Sequence, residues 1–174
     1  MSKATIMYWT CEDKGHTILT MTKILILENI RSAYNVGAIF RTADGAGVDK
    51  IYLVGYTPTP IDRFGRVQPE IKKTSLGASA EIEWEHTQDI SLVIDELKQS
   101  GATIVAVEQS EQSISLPDFV VPTEVAYIMG NEVEGVSELA IKYSDKVVDI
   151  PMQGTKESLN VSVAAGVVLY HGLH

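Results

Sequence analysis

Residues 24–54, ILILENIRSAYNVGAIFRTADGAGVDKIYLV, decide the fold. Residues 24–27 are apolar without alternation, as in a strand buried on both faces, and residues 51–54 repeat that character. Between them Val36, Ile39, Phe40 and Ala43 recur at the spacing that gives a helix one buried face, and Gly45 and Gly47 close it. Strand, helix and strand in this order make a βαβ unit, which implies parallel strands. Arg41 stands out in the helix as a permanent cation among Gly, Ala and apolar neighbours.

Outward from this unit the alternation continues. Residues 55–73, GYTPTPIDRFGRVQPEIKK, have no clear period and read as a long loop, the kind that is functional or disordered when it occurs inside a compact domain. TSLGASA (74–80) reads as a short helix and EIEW (81–84) as a brief strand. In TQDISLVIDELKQSG (87–101), Ile90, Val93, Ile94 and Leu97 share a helix face, Thr87 or Asp89 caps the start and Gly101 the end. TIVAV (103–107), VAYIM (125–129) and VVDI (147–150) read as strands, separated by a loop with Pro117 and Pro122 and by a short helix over 137–143. SLNVSVAAGVVLYHGLH (158–174) reads as a mostly buried final helix despite its β-branched residues. The expectation is an α/β domain over 24–174, with a mostly parallel sheet and helices on both faces, behind a short amino-terminal extension over 1–23.

A chain of 174 residues suffices for one domain with a proper core, and 45% hydrophobic with 21% charged residues is the composition of a soluble globular protein. No continuous apolar run reaches about 18 residues, which argues against a membrane span. The stretch MSKATIMYWTCEDKGHTILTMTK lacks the apolar core and small-residue cleavage site of a secretory signal. Cys11 is the single cysteine, which excludes an internal disulfide and a Cys-based zinc site, and His16, His86, His171 and His174 lack the helical pairing of metal ligands. A cytoplasmic protein without a metal is expected.

Net charge is -9, which by itself argues against a nucleic-acid partner, but the cations are unevenly placed. All four arginines, Arg31, Arg41, Arg63 and Arg66, fall within residues 31–73 beside Lys50, Lys72 and Lys73, giving that region a balance of +3 against -12 for the remainder. One part of the surface is suited to a polyanion while the rest repels it; an ordinary solvated loop explains the same charges equally well.

Common nucleotide fingerprints are missing. DGAGVDK carries Lys50 where the third glycine of G-x-G-x-x-G belongs and ends a helix instead of opening one; neither a P-loop nor a G-x-S-x-G elbow occurs. Three segments remain, each directly after an expected strand: ENIRSAYNVGAIFRTADGAGV (28–48), IMGNEVEGVS (128–137) and DIPMQGTKESLNVSVAAGVVLY (149–170). In order and spacing they resemble the three motifs of the SpoU-type (TrmH-like) RNA ribose 2'-O-methyltransferases of the SPOUT superfamily, and the resemblance runs from about Ile24 to about Tyr170.

That resemblance implies a deep trefoil knot made by the carboxyl-terminal segment, a homodimer, and S-adenosylmethionine as methyl donor in the cup formed by the loops after TIVAV, VAYIM and VVDI. Carried over by motif, cofactor contacts fall at Val107, Glu108, Gly130, Ile150, Met152, Ser158 and Leu159. Gly130 would let the chain approach the ligand without a Cβ, and a helix starting at Ser158 would expose free N–H groups; ordinary turn geometry is the competing explanation for such glycines. The resemblance assigns Arg41 to orienting an RNA phosphate and activating the 2'-hydroxyl, leaving the final proton acceptor open. An arginine is too weak a base to take the proton itself, but its fork grips phosphate. The ordinary alternative is an ion pair from Arg41 to Asp44. Asn35 is either the cap of its helix or a positioning group; Glu132 either holds another site residue or is a surface carboxylate; Ser158 and Asn160 either support the site or cap the last helix. Arg31, Arg63, Arg66, Lys72 and Lys73 are candidate RNA phosphate contacts.

Two departures matter. RSAY precedes Asn35 where many relatives have an Asp-Pro-His-like segment, and at most 23 residues precede the first expected strand where many relatives carry an extra RNA-binding domain. The leading expectation is an enzyme methylating tRNA or rRNA; the alternative is a catalytically silent RNA-binding or scaffold protein that keeps the knotted fold.

Overall fold

The computed structural model describes residues 21–173; Cys11, His16, His174 and residues 1–20 of the expected extension lie outside them. The βαβ unit consists of β1 (Thr22–Glu28), α1 (Ala33–Gly45) and β2 (Lys50–Val54). There follow α2 (Pro69–Ser75), α3 (Ala78–Glu81), β3 (Glu83–Thr87), α4 (Ile90–Ser100), β4 (Thr103–Val107), β5 (Ile114–Ser115), β6 (Glu124–Met129), α5 (Glu138–Tyr143), β7 (Lys146–Asp149) and α6 (Val161–Tyr170). The strands form one sheet in the order β3-β2-β1-β6-β4-β7-β5, and every pair is parallel.

Both faces of the central strands are covered, which is why their sequences run apolar without alternation. Leu25, Leu27, Ile51, Leu53, Val105 and Tyr127 pack with α1, α2, α3 and α6 on one side. Ile24, Ile26, Tyr52, Ile104, Ala106 and Ile128 pack with α4 and α5 on the other. The amphipathic α4 is as expected: Asp89 caps it by accepting from Ser91 N at 2.9 Å, and Gly101 ends it at φ +97°.

Several local expectations are corrected. β1 begins at Thr22, two residues earlier than the expected domain start. The expected loop 55–73 ends early, because Pro69 opens α2, with Glu70 in its first turn and Lys72 and Lys73 in its last, each where helix polarity favours it. The strand expected at 81–84 lies at Glu83–Thr87, on the sheet edge, where one-sided pairing lets charged residues occupy it. The two-residue β5 went unread inside the Pro117 loop because it is too short to carry a period. α6 begins at Val161, capped by Asn160, so Ser158 precedes the helix.

Candidate active site

Ligands of parallel α/β sheets bind at the carboxyl ends of the strands, where the order reverses. Here the chain moves from β1 outward to β3 and then crosses to the other half of the sheet, and a cavity of about 290 Å³ opens beyond the ends of β4, β6 and β7. Val107, Glu108, Gly130, Ile150, Met152, Ser158 and Leu159 all border it, as do Glu132 and Val161. Three strand ends that are far apart in sequence thus supply one concave surface. The backbone N–H groups of Met152, Ser158 and Leu159 have no hydrogen-bond partner among the described residues.

The wall after β6 is a tight loop built on Asn131. Asn131 and Gly135 exchange backbone bonds (N to O 2.9 Å and 3.0 Å), while the Asn131 Oδ1 accepts from Val133 N at 2.7 Å and Glu134 N at 2.9 Å. Gly135 sits at φ +73°, which favours glycine. A Cβ on Gly130 would meet the backbone of Gly135 and Val136, so Gly130 is required by the loop's own path as well as bordering the cavity. Asn131 Nδ2 also donates to Asn29 O at 2.8 Å and to the Tyr56 hydroxyl at 2.6 Å, joining this loop to the ends of β1 and β2. Asn131 lies in the second motif segment, IMGNEVEGVS, but sequence reading gave it no scaffold role. On the cavity's other side the Glu108 carboxylate accepts from Val136 N and Gln109 N, both at 2.9 Å, which ties the β4 loop to the β6 loop.

The loop presents Glu132 to the start of α1. Its carboxylate accepts from Arg31 N at 2.9 Å, Ser32 N at 3.3 Å and Asn35 Nδ2 at 2.9 Å. Burial alone pushes this carboxyl up, but the N–H of Arg31, the Asn35 amide and the N–H of Ser32 outweigh it and hold it below the usual range. Asn35 is not the cap: Ser32 is, its hydroxyl accepting from Asn35 N at 3.3 Å, because α1 starts two residues before Asn35. Its side chain is therefore free to bridge, and its Oδ1 accepts from Asn160 Nδ2 at 3.2 Å. Asn160 does cap α6, accepting from Ser162 N at 2.8 Å, and reaches Glu132 only through Asn35. One residue from each motif thus joins a single hydrogen-bonded row, whose Glu132 end borders the cavity.

Arg41 does not border the cavity. It follows Asn35 by six residues on α1, about 9 Å along the axis and on a different face, and is exposed. The Arg41–Asp44 ion pair is not formed; Arg41 has no ion pair among the described residues. Arg31 is exposed beside the row, and Lys72 and Lys73 are exposed on α2, which lies against α1. Arg63 and Arg66 sit farther out on the loop after β2, where Arg66 pairs with Asp62 at 2.7 Å. Among the described residues no group of acids, histidines or cysteines is arranged to hold a metal, and no helix is long and apolar enough to cross a membrane.

Fold and site define an α/β protein with a cavity at the carboxyl edge of a parallel sheet. The chain belongs to the SpoU rRNA Methylase family, whose model matches residues 22–170. It is 35% identical over 146 residues to the 23S rRNA (guanosine-2'-O-)-methyltransferase RlmB of Neisseria meningitidis serogroup B, an alignment covering 84% of this chain and 56% of the relative. The chain spans about half the length of the curated relatives it matches. Among solved structures, the AdoMet-bound rRNA methyltransferase from Sinorhizobium meliloti superposes with a TM-score of 0.78 at 26% identity, over 86% of this chain and 55% of that one. The A. aeolicus TrmH/SpoU tRNA modifying enzyme superposes at 0.75 with 28% identity, over 88% and 76%.

Proposed function

We propose that this protein transfers a methyl group from S-adenosylmethionine to a ribose 2'-hydroxyl in rRNA or tRNA. The observation that carries the reading is the row Glu132–Asn35–Asn160, which joins all three motif segments beside a cavity that Glu132 itself borders. The cavity suits the donor: Val107, Ile150 and Leu159 offer apolar walls, and the N–H groups of Met152, Ser158 and Leu159, without a partner among the described residues, offer hydrogen bonds. S-adenosylmethionine held there would supply an electrophilic methyl carbon on a sulfonium, whose sulfur would keep the bonding electron pair when a 2'-oxygen takes the methyl and its proton passes to solvent.

The chain's own residues supply position and charge. Arg41 grips the RNA phosphate beside the target ribose and favours the hydroxyl's ionisation, its fork donating two parallel bonds. Glu132 fixes the Asn35 amide, and Asn35 with Asn160 holds the ribose edge beside the cavity. Ser158 supports the donor-side loop. Arg31, Lys72 and Lys73 steer the RNA toward this edge, with Arg63 and Arg66 farther out.

The methyltransferase domain is taken as 24–174 extended back to Thr22, so that β1 is whole, with the remaining residues before it as an extension. A trefoil knot is proposed for the segment after β7, in keeping with a strand order that inserts β6 between β1 and β4 and β7 between β4 and β5. A homodimer is proposed through the outer face of α6, where Val163, Val167 and Tyr170 are 51%, 41% and 52% exposed beside α1. Because Arg41 lies outside its own chain's cavity, a second copy packed on this face completes the arrangement. The test is methyl transfer from labelled S-adenosylmethionine to unmodified rRNA and tRNA, followed by nucleoside analysis. A 2'-O-methyl nucleoside made by the wild type and lost with Arg41→Ala is expected; equal turnover in both removes Arg41 from the chemistry.

A further inference from the structure

The loop after β2 has a built tip. Ile61 and Val67 form an antiparallel bridge, and Asp62 N donates to Arg66 O at 2.9 Å. The Asp62 carboxylate organises the turn, accepting from Phe64 N at 2.8 Å, Arg66 N at 2.9 Å and Arg66 Nε at 2.7 Å, while Gly65 takes φ +78°. At the apex stands Phe64, 66% exposed. The Arg63 guanidinium lies 4.8 Å from its ring centroid and that of Arg66 5.1 Å.

Stability does not account for a phenylalanine here. It buries little surface, and a turn apex ordinarily takes Gly, Asn, Asp or Ser. A water-exposed ring with two guanidinium groups beside it is instead the chemistry that holds single-stranded nucleic acid: bases stack on the ring while the cations meet phosphates. The tip belongs to the region whose charge is +3 in a chain of -9, which suits a polyanion that the acidic remainder of the surface repels. Its loop starts at the same sheet edge as the cavity, since Tyr56 is bonded by Asn131 at 2.6 Å.

We infer that Phe64 is a stacking platform for an unpaired base of the RNA, with Arg63 on the adjoining phosphate and Arg66, tethered to Asp62, beside the ring. The inference rests on the proposed RNA methyltransferase reading and adds to it a preference for single-stranded RNA beside the modified nucleotide.

The test compares wild type, Phe64→Ala, Phe64→Trp and Arg63→Ala for binding to a 12-nucleotide oligoadenylate and to a blunt RNA duplex of equal length. Phe64→Ala should bind oligoadenylate about tenfold more weakly, with an unchanged salt slope and unchanged duplex binding. Arg63→Ala should lower the salt slope by about 0.7. Phe64→Trp should bind normally, its added emission quenched by oligoadenylate and not by duplex. The inference is overturned if Phe64→Ala binds oligoadenylate like the wild type, if neither binds it, or if the loss extends equally to duplex. It is also overturned if light scattering shows that Phe64→Ala changes the oligomeric state, which would put a second copy on the tip. Calorimetry with S-adenosylmethionine on the same samples reads the parent proposal separately: absent heat defeats that proposal, while normal heat with no Phe64 effect defeats only the stacking.

Discussion

Asn35 shows how much a single residue's role depends on what surrounds it. An asparagine near a helix start reads as a cap, yet Ser32 takes that place and leaves the Asn35 amide to join Glu132 to Asn160. Glutamine cannot accept from three donors as the Glu132 carboxylate does, so Glu132→Gln should release the start of α1 and lower turnover by about 100-fold through misplacement, with cofactor affinity little changed by calorimetry. The same substitution has a pH signature. Because the Glu132 carboxyl is held below its ordinary value, its contribution to stability is full above the unfolded pKa of about 4.3 and disappears as pH falls through the lower folded value. The stability gap between wild type and Glu132→Gln in denaturant melts should therefore be constant from about pH 5 to 8 and close below about pH 4; a gap that persists in acid would show that the carboxylate's charge is not what the site uses. Tyr127 is the opposite case. Its hydroxyl is buried with no partner among the described residues, and burial pushes it up to about 12. Tyr127→Phe loses no hydrogen bond there and should stabilise the protein by about 1 kcal/mol, read as a higher denaturant midpoint at unchanged slope.

Between elements, glycines mark where backbones touch. A Cβ on Gly37 would stand 2.7 Å from Ile71 O and 2.9 Å from Ile71 Cα, so α1 and α2 pack at a separation that only glycine permits. Gly130 has the same relation to the backbone of the 131–135 loop. Gly37→Ala and Gly130→Ala should both destabilise, by about 1–3 kcal/mol from overpacking, but only Gly130→Ala should also lose S-adenosylmethionine binding in calorimetry, because only it deforms a cavity wall. The Gly and Ala neighbours of Arg41 were legible in the sequence; which element packs against them was not. For Gly37 it is α2, a helix hidden in what read as a featureless loop because its seven residues are too few to establish a period.

For the whole molecule, association is the property most open to test. The stripe Val163, Val167 and Tyr170 is apolar and exposed on α6, and Val167→Asp should convert the proposed dimer to monomer by light scattering while leaving the fold intact by circular dichroism. A dimer that survives this change would place the interface elsewhere. The sequence by itself determined the class of fold and the order of its longer elements, since runs of β-branched and aliphatic residues buried on both faces leave little choice but a parallel sheet between helices. Through the family resemblance its motifs also marked seven of the residues that border the cavity. Only the tertiary structure decided who bonds to whom across those motifs. Asn35, Glu132 and Asn160 are separated by up to 125 positions, and contact at such a distance follows from the crossing order of strands, a long-range choice that no local period records. The tip around Phe64 was left unread for a related reason: its order comes from one carboxylate, Asp62, gathering three donors, and a hydrogen-bond geometry of that kind exists only once the chain has turned back on itself.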